Sequence, residues 1–171
     1  AWSGGTIDGA GTIVIGSGID GSIGYDGGYG GVQLNGRLNV AGVVVLGADG
    51  YGDSISLGTY AYLGSDPDTG NPIYETDPGQ LNILAGGRFE LAASSTISEG
   101  TANVGERSLL SNAGTLVKTG ADTASINVDV VNTGNLSIEA GTLYVSGAFE
   151  STGITTITAG AVLQLTGEAS F

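Results

Sequence analysis

"NTGNLSIEAGTLYVSG", residues 132–147, alternates apolar and polar side chains between glycines. Successive side chains of a strand point to opposite faces. Leu136, Ile138 and Ala140 therefore fall on one side of an extended chain, and Asn135, Ser137 and Glu139 on the other. Gly141 interrupts the pattern, and Leu143 and Val145 resume it. Glycine accepts the backbone angles of a sharp corner. The stretch predicts strand, corner, strand, corner.

The pattern recurs. "GITTITAGAVLQLTG" follows from Gly153, "GQLNILAGGRFELA" from Gly79, "GRLNVAGVVVLG" from Gly36 and "GTIDGAGTIVIG" from Gly5. A weaker copy, "GTLVKTGADTASINV", starts at Gly114. Successive starts lie 31, 43, 35, 20 and 19 residues apart. The last two steps match the roughly 20-residue coil of a β-solenoid, and the longer ones read as coils with excursions. One coil cannot bury its inner face alone, but stacked coils can. The sequence thus predicts an all-β fold, a parallel β-helix (β-solenoid) of about six coils, about 29 Å tall at the strand spacing of a sheet. An antiparallel sandwich also has short strands and glycine turns, but has no reason to repeat the same Gly and Leu slots. Residues 1–171 read as one domain: loop- and hairpin-rich excursions over 17–78, regular coils over 79–171, and the whole a fragment of a longer protein.

Composition narrows the function. The 171 residues include 33 Gly, no Cys, no His and no Met, with a formal net charge of −13. Nucleic acid and anionic membrane surfaces need clustered Lys and Arg, so both are excluded as partners. No apolar run reaches the length that spans a bilayer, so no membrane insertion is expected in this segment. Without His or Cys there is no imidazole acid–base chemistry, no thiol nucleophile and no ordinary zinc site. Arg37, Arg88, Arg107 and Lys118, the only cations, are expected on different coils, which argues against a polysaccharide lyase. Thr155, Thr156 and Thr158 hint at an ice-binding lattice, but Ser137, Glu139, Asn82 and Asn39 occupy the equivalent slots.

Six of the seven tyrosines lie between Tyr25 and Tyr74. "YAYLGSDPDTGNPIYET", residues 60–76, predicts a protruding β-hairpin with its turn at 66–72, where Asp, Pro and Gly each favour a turn for their own reason. Tyr60 and Tyr62 share a face of one arm and can meet Tyr74 on the other. Protruding rings beside carboxylates suit a glycan, so Tyr60, Tyr62, Tyr74, Asp66 and Asp68 are candidate ligand-binding residues. The plainer alternative is that the tyrosines cover the side of the rod. No cofactor is required. Calcium is left open at "DGYGD", through Asp49 and Asp53. "GGYGGVQLN" and "DGYGDSISL" are not tandem and misplace the aspartate of a calcium nonapeptide.

"WSGGTIDGAGTIVIGSG" (2–18), "LLSNAGTLVKTG" (109–120) and "VNTGNLSIEAGTLYVSG" (131–147) resemble the β-strand repeats of very large bacterial surface proteins. They are also similar to the passenger β-helices of autotransporter and haemagglutinin-type adhesins. The W-S-G-G-T opening, the N-x-G-x-L step at Asn112 and Asn132 and the A-G-T-L step at Ala140 carry the likeness, over 1–16 and 79–171. The resemblance implies secretion to the extracellular space or bacterial cell surface, a right-handed helix, and a role as stalk or adhesin. The expected protein is a non-enzymatic rigid stalk. Its expected partners are a glycan or cell-surface receptor, or a further copy reached through the solenoid ends. Two alternatives remain: a glycan-active enzyme or its carbohydrate-binding module, using Asp66 and Asp68, and a self-stacking extracellular fibre subunit.

Overall fold

Glycine corners cut the chain into strands mostly four residues long, each too short to be stable except as a rung in a stack. The computed structural model describes residues 1–8, 11–24, 31–100 and 107–171, without the side chains of residues 60, 61 and 74–76. The first coil consists of β1 (Gly5–Ile7), β2 (Thr12–Ile15) and β3 (Asp20–Ile23). The second holds β4 (Gly31–Leu34), β5 (Arg37–Val40) and β6 (Val43–Leu46). The third starts with β7 (Ser54–Leu57), releases a hairpin of β8 (Thr59–Ser65) and β9 (Pro72–Asp77), and closes with β10 (Gln80–Ile83) and β11 (Arg88–Leu91). Then follow β12 (Thr96–Glu99), β13 (Leu109–Asn112) and β14 (Thr115–Lys118), and next β15 (Thr123–Ile126), β16 (Asp129–Asn132) and β17 (Asn135–Ile138). The sixth coil is β18 (Thr142–Val145), β19 (Phe149–Ser151) and β20 (Ile154–Ile157), with β21 (Val162–Leu165) and β22 (Ala169–Ser170) beginning another.

Apart from the two hairpin arms, each strand pairs in parallel with its counterparts in neighbouring coils, building two seven-stranded sheets and one six-stranded sheet. The expected parallel β-solenoid of about six coils is therefore the fold, and the sandwich is excluded. Within 17–78 the chain is more regular than its sequence implied. β3 to β7 are ordinary rungs, and the hairpin is the excursion that the described residues contain there.

The unit differs from the expected one in a single respect: each coil has three strands and three corners. The six sequence copies are strand–corner–strand pairs taken at different phases. Gly5 opens β1, ahead of β2, Gly36 and Gly79 precede second-sheet strands, and Gly114, Gly134 and Gly153 precede third-sheet strands. The Gly36 and Gly79 copies stack on one another, with Leu38 over Leu81, and the last three do so in the third sheet, with Leu116 over Leu136 and Thr115 over Asn135. All three corners use glycine and all three walls use Leu, Ile and Val inside, so the pattern looks alike at every phase.

The interior is made of ladders. Val44, Phe89, Leu116 and Leu136 stack in the third sheet, and Leu38, Leu81, Leu110, Val130 and Phe149 in the second. All are sealed from solvent. One second-sheet ladder changes character along the rod. Val40 and Ile83 give way to Asn112, Asn132 and Ser151. Asn112 Nδ2 donates to Asn132 Oδ1 at 2.7 Å, and Asn132 Nδ2 donates to Ser151 Oγ at 3.0 Å. Asn112 Oδ1 in turn accepts the Gly114 N–H at 3.1 Å. The N-x-G step of the sequence is thus a corner whose buried amides satisfy one another from coil to coil. Thr155 follows the inward register of Leu136 while Thr156 follows Ser137, so the threonines form no common face.

Lys118 occupies an inward slot between Leu91 and Ile138 and is fully buried. Its stem fills a leucine position, and its Nζ donates to the corner carbonyls of Thr119 and Gly120. Burial pushes the ammonium below its ordinary 10.5, and Asp122 opposes the shift. The unfolded chain therefore holds this proton more tightly than the folded one. Stability should rise with pH through the interval between the lowered value and 10.5, where only the unfolded state stays protonated. Lys118→Met keeps the stem and removes the charge. We expect it to raise stability by about 1 kcal/mol at neutral pH and to flatten that alkaline rise, measured by urea unfolding at several pH values. A loss of stability at neutral pH would mean that the carbonyl contacts outweigh the desolvation cost.

Candidate functional site: the lateral hairpin and the Asp49–Asp53 cavity

The hairpin leaves the third coil after Leu57 and returns at Gln80. Its arms pair antiparallel, Thr59 opposite Asp77, Tyr60 opposite Thr76 and Tyr62 opposite Tyr74. Between Tyr62 and Gly64 the register slips, so that Gly64 faces Ile73 and Leu63 is the extra residue of a β-bulge. Gly64 sits at φ 132°, a backbone region reserved for glycine.

The tip closes around Asp66. Its Oδ1 accepts the N–H groups of Asp68 at 2.9 Å and Thr69 at 2.8 Å. Its N–H donates to the Asn71 carbonyl at 2.7 Å, and its carbonyl accepts the Gly70 N–H at 2.8 Å. The N–H groups of Thr69 and Asp68 hold the Asp66 carboxyl below its ordinary 3.8. Asp66 is thus the residue that shapes the turn, and Asp68 is exposed beside it.

The hairpin stands clear of the core: none of its described side chains joins the buried cluster. Tyr62 is 60% exposed, Leu63 62% and Ile73 43%. The Tyr62 hydroxyl lies 2.9 Å from Ser65 Oγ. The side chains of Tyr60 and Tyr74 lie outside the described residues, as do Tyr25 and Tyr29 entirely. The backbone register does place Tyr62 directly opposite Tyr74, one step from the position of Tyr60. Sequence reasoning missed Leu63 and Ile73, because it looked for rings and carboxylates, the chemistry of sugars.

Asp49 and Asp53 come together at a second place. Both line a cavity of about 280 Å³ with Ala1, Ser22, Ile23, Gly24 and Ala48. Their environments differ. Asp49 is exposed, and its Oδ1 accepts the Tyr51 N–H at 3.1 Å, which shapes the turn after β6. Asp53 is 1% exposed and packs against Gly24, where an added Cβ would come within 2.0 Å of its Oδ2. The missing side chain at Gly24 makes room for this carboxylate. Among the described residues, no cluster of three or more His, Cys, Asp or Glu gathers as a metal ion would need.

A third polar cluster links coils. Glu99 accepts from the Ser108 N–H at 3.0 Å and lies 2.6 Å from Ser108 Oγ. Arg107 pairs with Asp129 at 3.2 Å and donates to the Asn127 carbonyl at 3.0 Å. These contacts tie the connection between β12 and β13 to the next coil.

The fold and this lateral arm define a three-sheeted parallel β-solenoid that displays one hairpin from its flank. No protein-family model matches the chain, and no curated protein or solved structure matches it.

Proposed function

We propose that the chain is a non-enzymatic structural segment of a secreted or cell-surface bacterial protein, a rigid stalk whose lateral hairpin does the recognising. The observation that carries this reading is the continuity of the ladder. Three parallel sheets run through all six coils without a break in pairing, while the hairpin alone stands off the stack among the described residues. Such an object resists bending because each coil is held to the next by three sets of backbone hydrogen bonds. A chain with no Cys can gain its rigidity this way in place of disulfides. Recognition falls to the loop, which can vary without disturbing the rungs.

The test is single-molecule extension of the whole chain held at both ends. A stalk should lengthen in steps of one coil, roughly 70 Å for a 20-residue unit at the extended length per residue. Release of reducing ends from polysaccharides, lost in Asp66→Asn or Asp68→Asn, would instead assign the hairpin to a glycan-active enzyme.

A further inference from the structure

We propose that the hairpin is a docking arm for a protein partner whose surface sets Lys or Arg side chains around an apolar patch. The proposal rests on the reading of the solenoid as a scaffold and names what the arm takes hold of.

Position is the first ground. A two-stranded ribbon in water is marginal on its own, and this one contributes no described side chain to the core of the coils. Its apolar residues therefore have no packing task inside the rod. Tyr62, Leu63 and Ile73 nevertheless stand exposed around the bulge, Tyr62 on the face of its partner Tyr74 and Ile73 on the other face of the ribbon. A single exposed leucine needs no explanation, but three large apolar side chains exposed within one short stretch of an unsupported ribbon, on both of its faces, call for a covering surface. The slip in register adds Leu63 to the arm.

Charge is the second ground. Between residues 59 and 77 the chain carries Asp66, Asp68, Glu75 and Asp77, and neither Lys nor Arg. An arm that exposes apolar side chains and carries acidic residues alone is complementary to an apolar surface set among cations. The same charge disfavours a second copy of this chain, whose net charge is −13, and equally disfavours an anionic lipid or nucleic-acid surface.

The third ground separates a protein from a glycan. A sugar is held by hydrogen bonds from carboxylates and hydroxyls placed beside a ring. Here Asp66 Oδ1 already accepts two backbone N–H groups, and the Tyr62 hydroxyl is engaged with Ser65. Leu63 and Ile73 offer a sugar neither a ring face nor a hydrogen bond. Branched aliphatic side chains fit instead into the apolar centre of a protein interface.

The experiment follows backbone amide shifts of the isotope-labelled chain titrated with three probes. One is a synthetic peptide alternating Lys with Leu, the second its Lys/Ser counterpart of equal length, and the third a panel of neutral oligosaccharides. The Lys/Leu peptide should shift residues of the 59–77 segment and bind about tenfold more tightly than the Lys/Ser peptide, a difference of about 1.4 kcal/mol. Binding should weaken as salt is raised to about 0.5 M. Leu63→Ser with Ile73→Ser should erase the difference between peptides and leave the melting temperature unchanged, since both side chains are exposed. Equal affinity for the two peptides, or shifts spread over the coils, would overturn the proposal. Oligosaccharide-induced shifts at 59–77 without a Lys/Leu preference would overturn the partner class and leave the hairpin as the recognising arm. If no probe shifts 59–77, both the partner and the recognising role of the hairpin fall, while the stalk stands or falls on its extension steps.

Discussion

Phe89→Ala should lower stability by about 4 kcal/mol. Phe89 is fully buried and, with Phe149, is the bulkiest side chain sealed among the described residues. It stands between Val44 of the coil before and Leu116 of the coil after, one rung away in each direction. In a globular core, neighbours lean into a void from several sides. Here the walls are held by parallel ladders, and the coils above and below are fixed at the strand spacing of about 4.8 Å. The void therefore stays open and its full cost is paid. The check is urea unfolding, with the midpoint lowered and the slope compared with that of the wild type. A reduced slope would show the coils on either side of the void unfolding separately, as happens when one weak interface divides a repeat array. A loss below about 1 kcal/mol would mean that this interior is not closely packed.

Gly134→Ala comes next, with an expected loss of about 3 kcal/mol. Gly134 has no unusual φ, so the requirement is one of space. A Cβ at Gly134 would lie 2.3 Å from the Gly114 carbonyl oxygen and 2.7 Å from the Ala113 carbonyl carbon. Both obstacles are backbone and cannot swing away. The Gly134 and Asn135 N–H groups donate to the Asn112 and Gly114 carbonyls at 2.9 and 2.8 Å, so separating the coils would break the hydrogen bonds that join them. The position also belongs to a column. A Cβ at Gly153 would lie 2.1 Å from the Gly134 carbonyl oxygen, and one at Gly114 would run into the Leu84 and Gly87 carbonyls. Gly160→Ala is the comparison. Gly160 has φ 87° and open space around its missing side chain, so it should lose only the local strain of about 1 kcal/mol. Equal losses at the two positions in thermal or urea unfolding would refute the close-approach explanation.

Much of this was legible in the residues. Alternation around Leu136 and Ile138 identified inward and outward faces correctly, and Leu136 and Ile138 are buried. Gly114, Gly134 and Gly153 were found as equivalent positions because they stack. The turn at 66–72 was legible because Asp66 makes it with its own neighbours in the chain. Other features left no local trace. The bulge at Leu63 depends on how two arms align, which neither arm states alone. Lys118 reads as a surface cation until its slot is known to continue Leu91 and Ile138. Asp53 reads as a turn residue like Asp49, yet one is sealed behind Gly24 and the other is exposed.

The sequence by itself determined the kind of object: an all-β stack of short rungs turned by glycine, acidic outside and aliphatic inside, with a hairpin at 60–76. These properties follow from periodicity and turn chemistry, which act over a few residues. The tertiary structure alone decided that a coil has three walls, which copies share a sheet, and that a ladder of amides replaces aliphatic residues from Asn112 onward. It alone decided too that Leu63 and Ile73 stand exposed on the flank. Each of these depends on which residue lies 19 to 51 positions away in the next coil, or 7 to 18 positions away on the opposite arm. Backbone hydrogen bonds between coils set that alignment, and no single stretch of chain contains them.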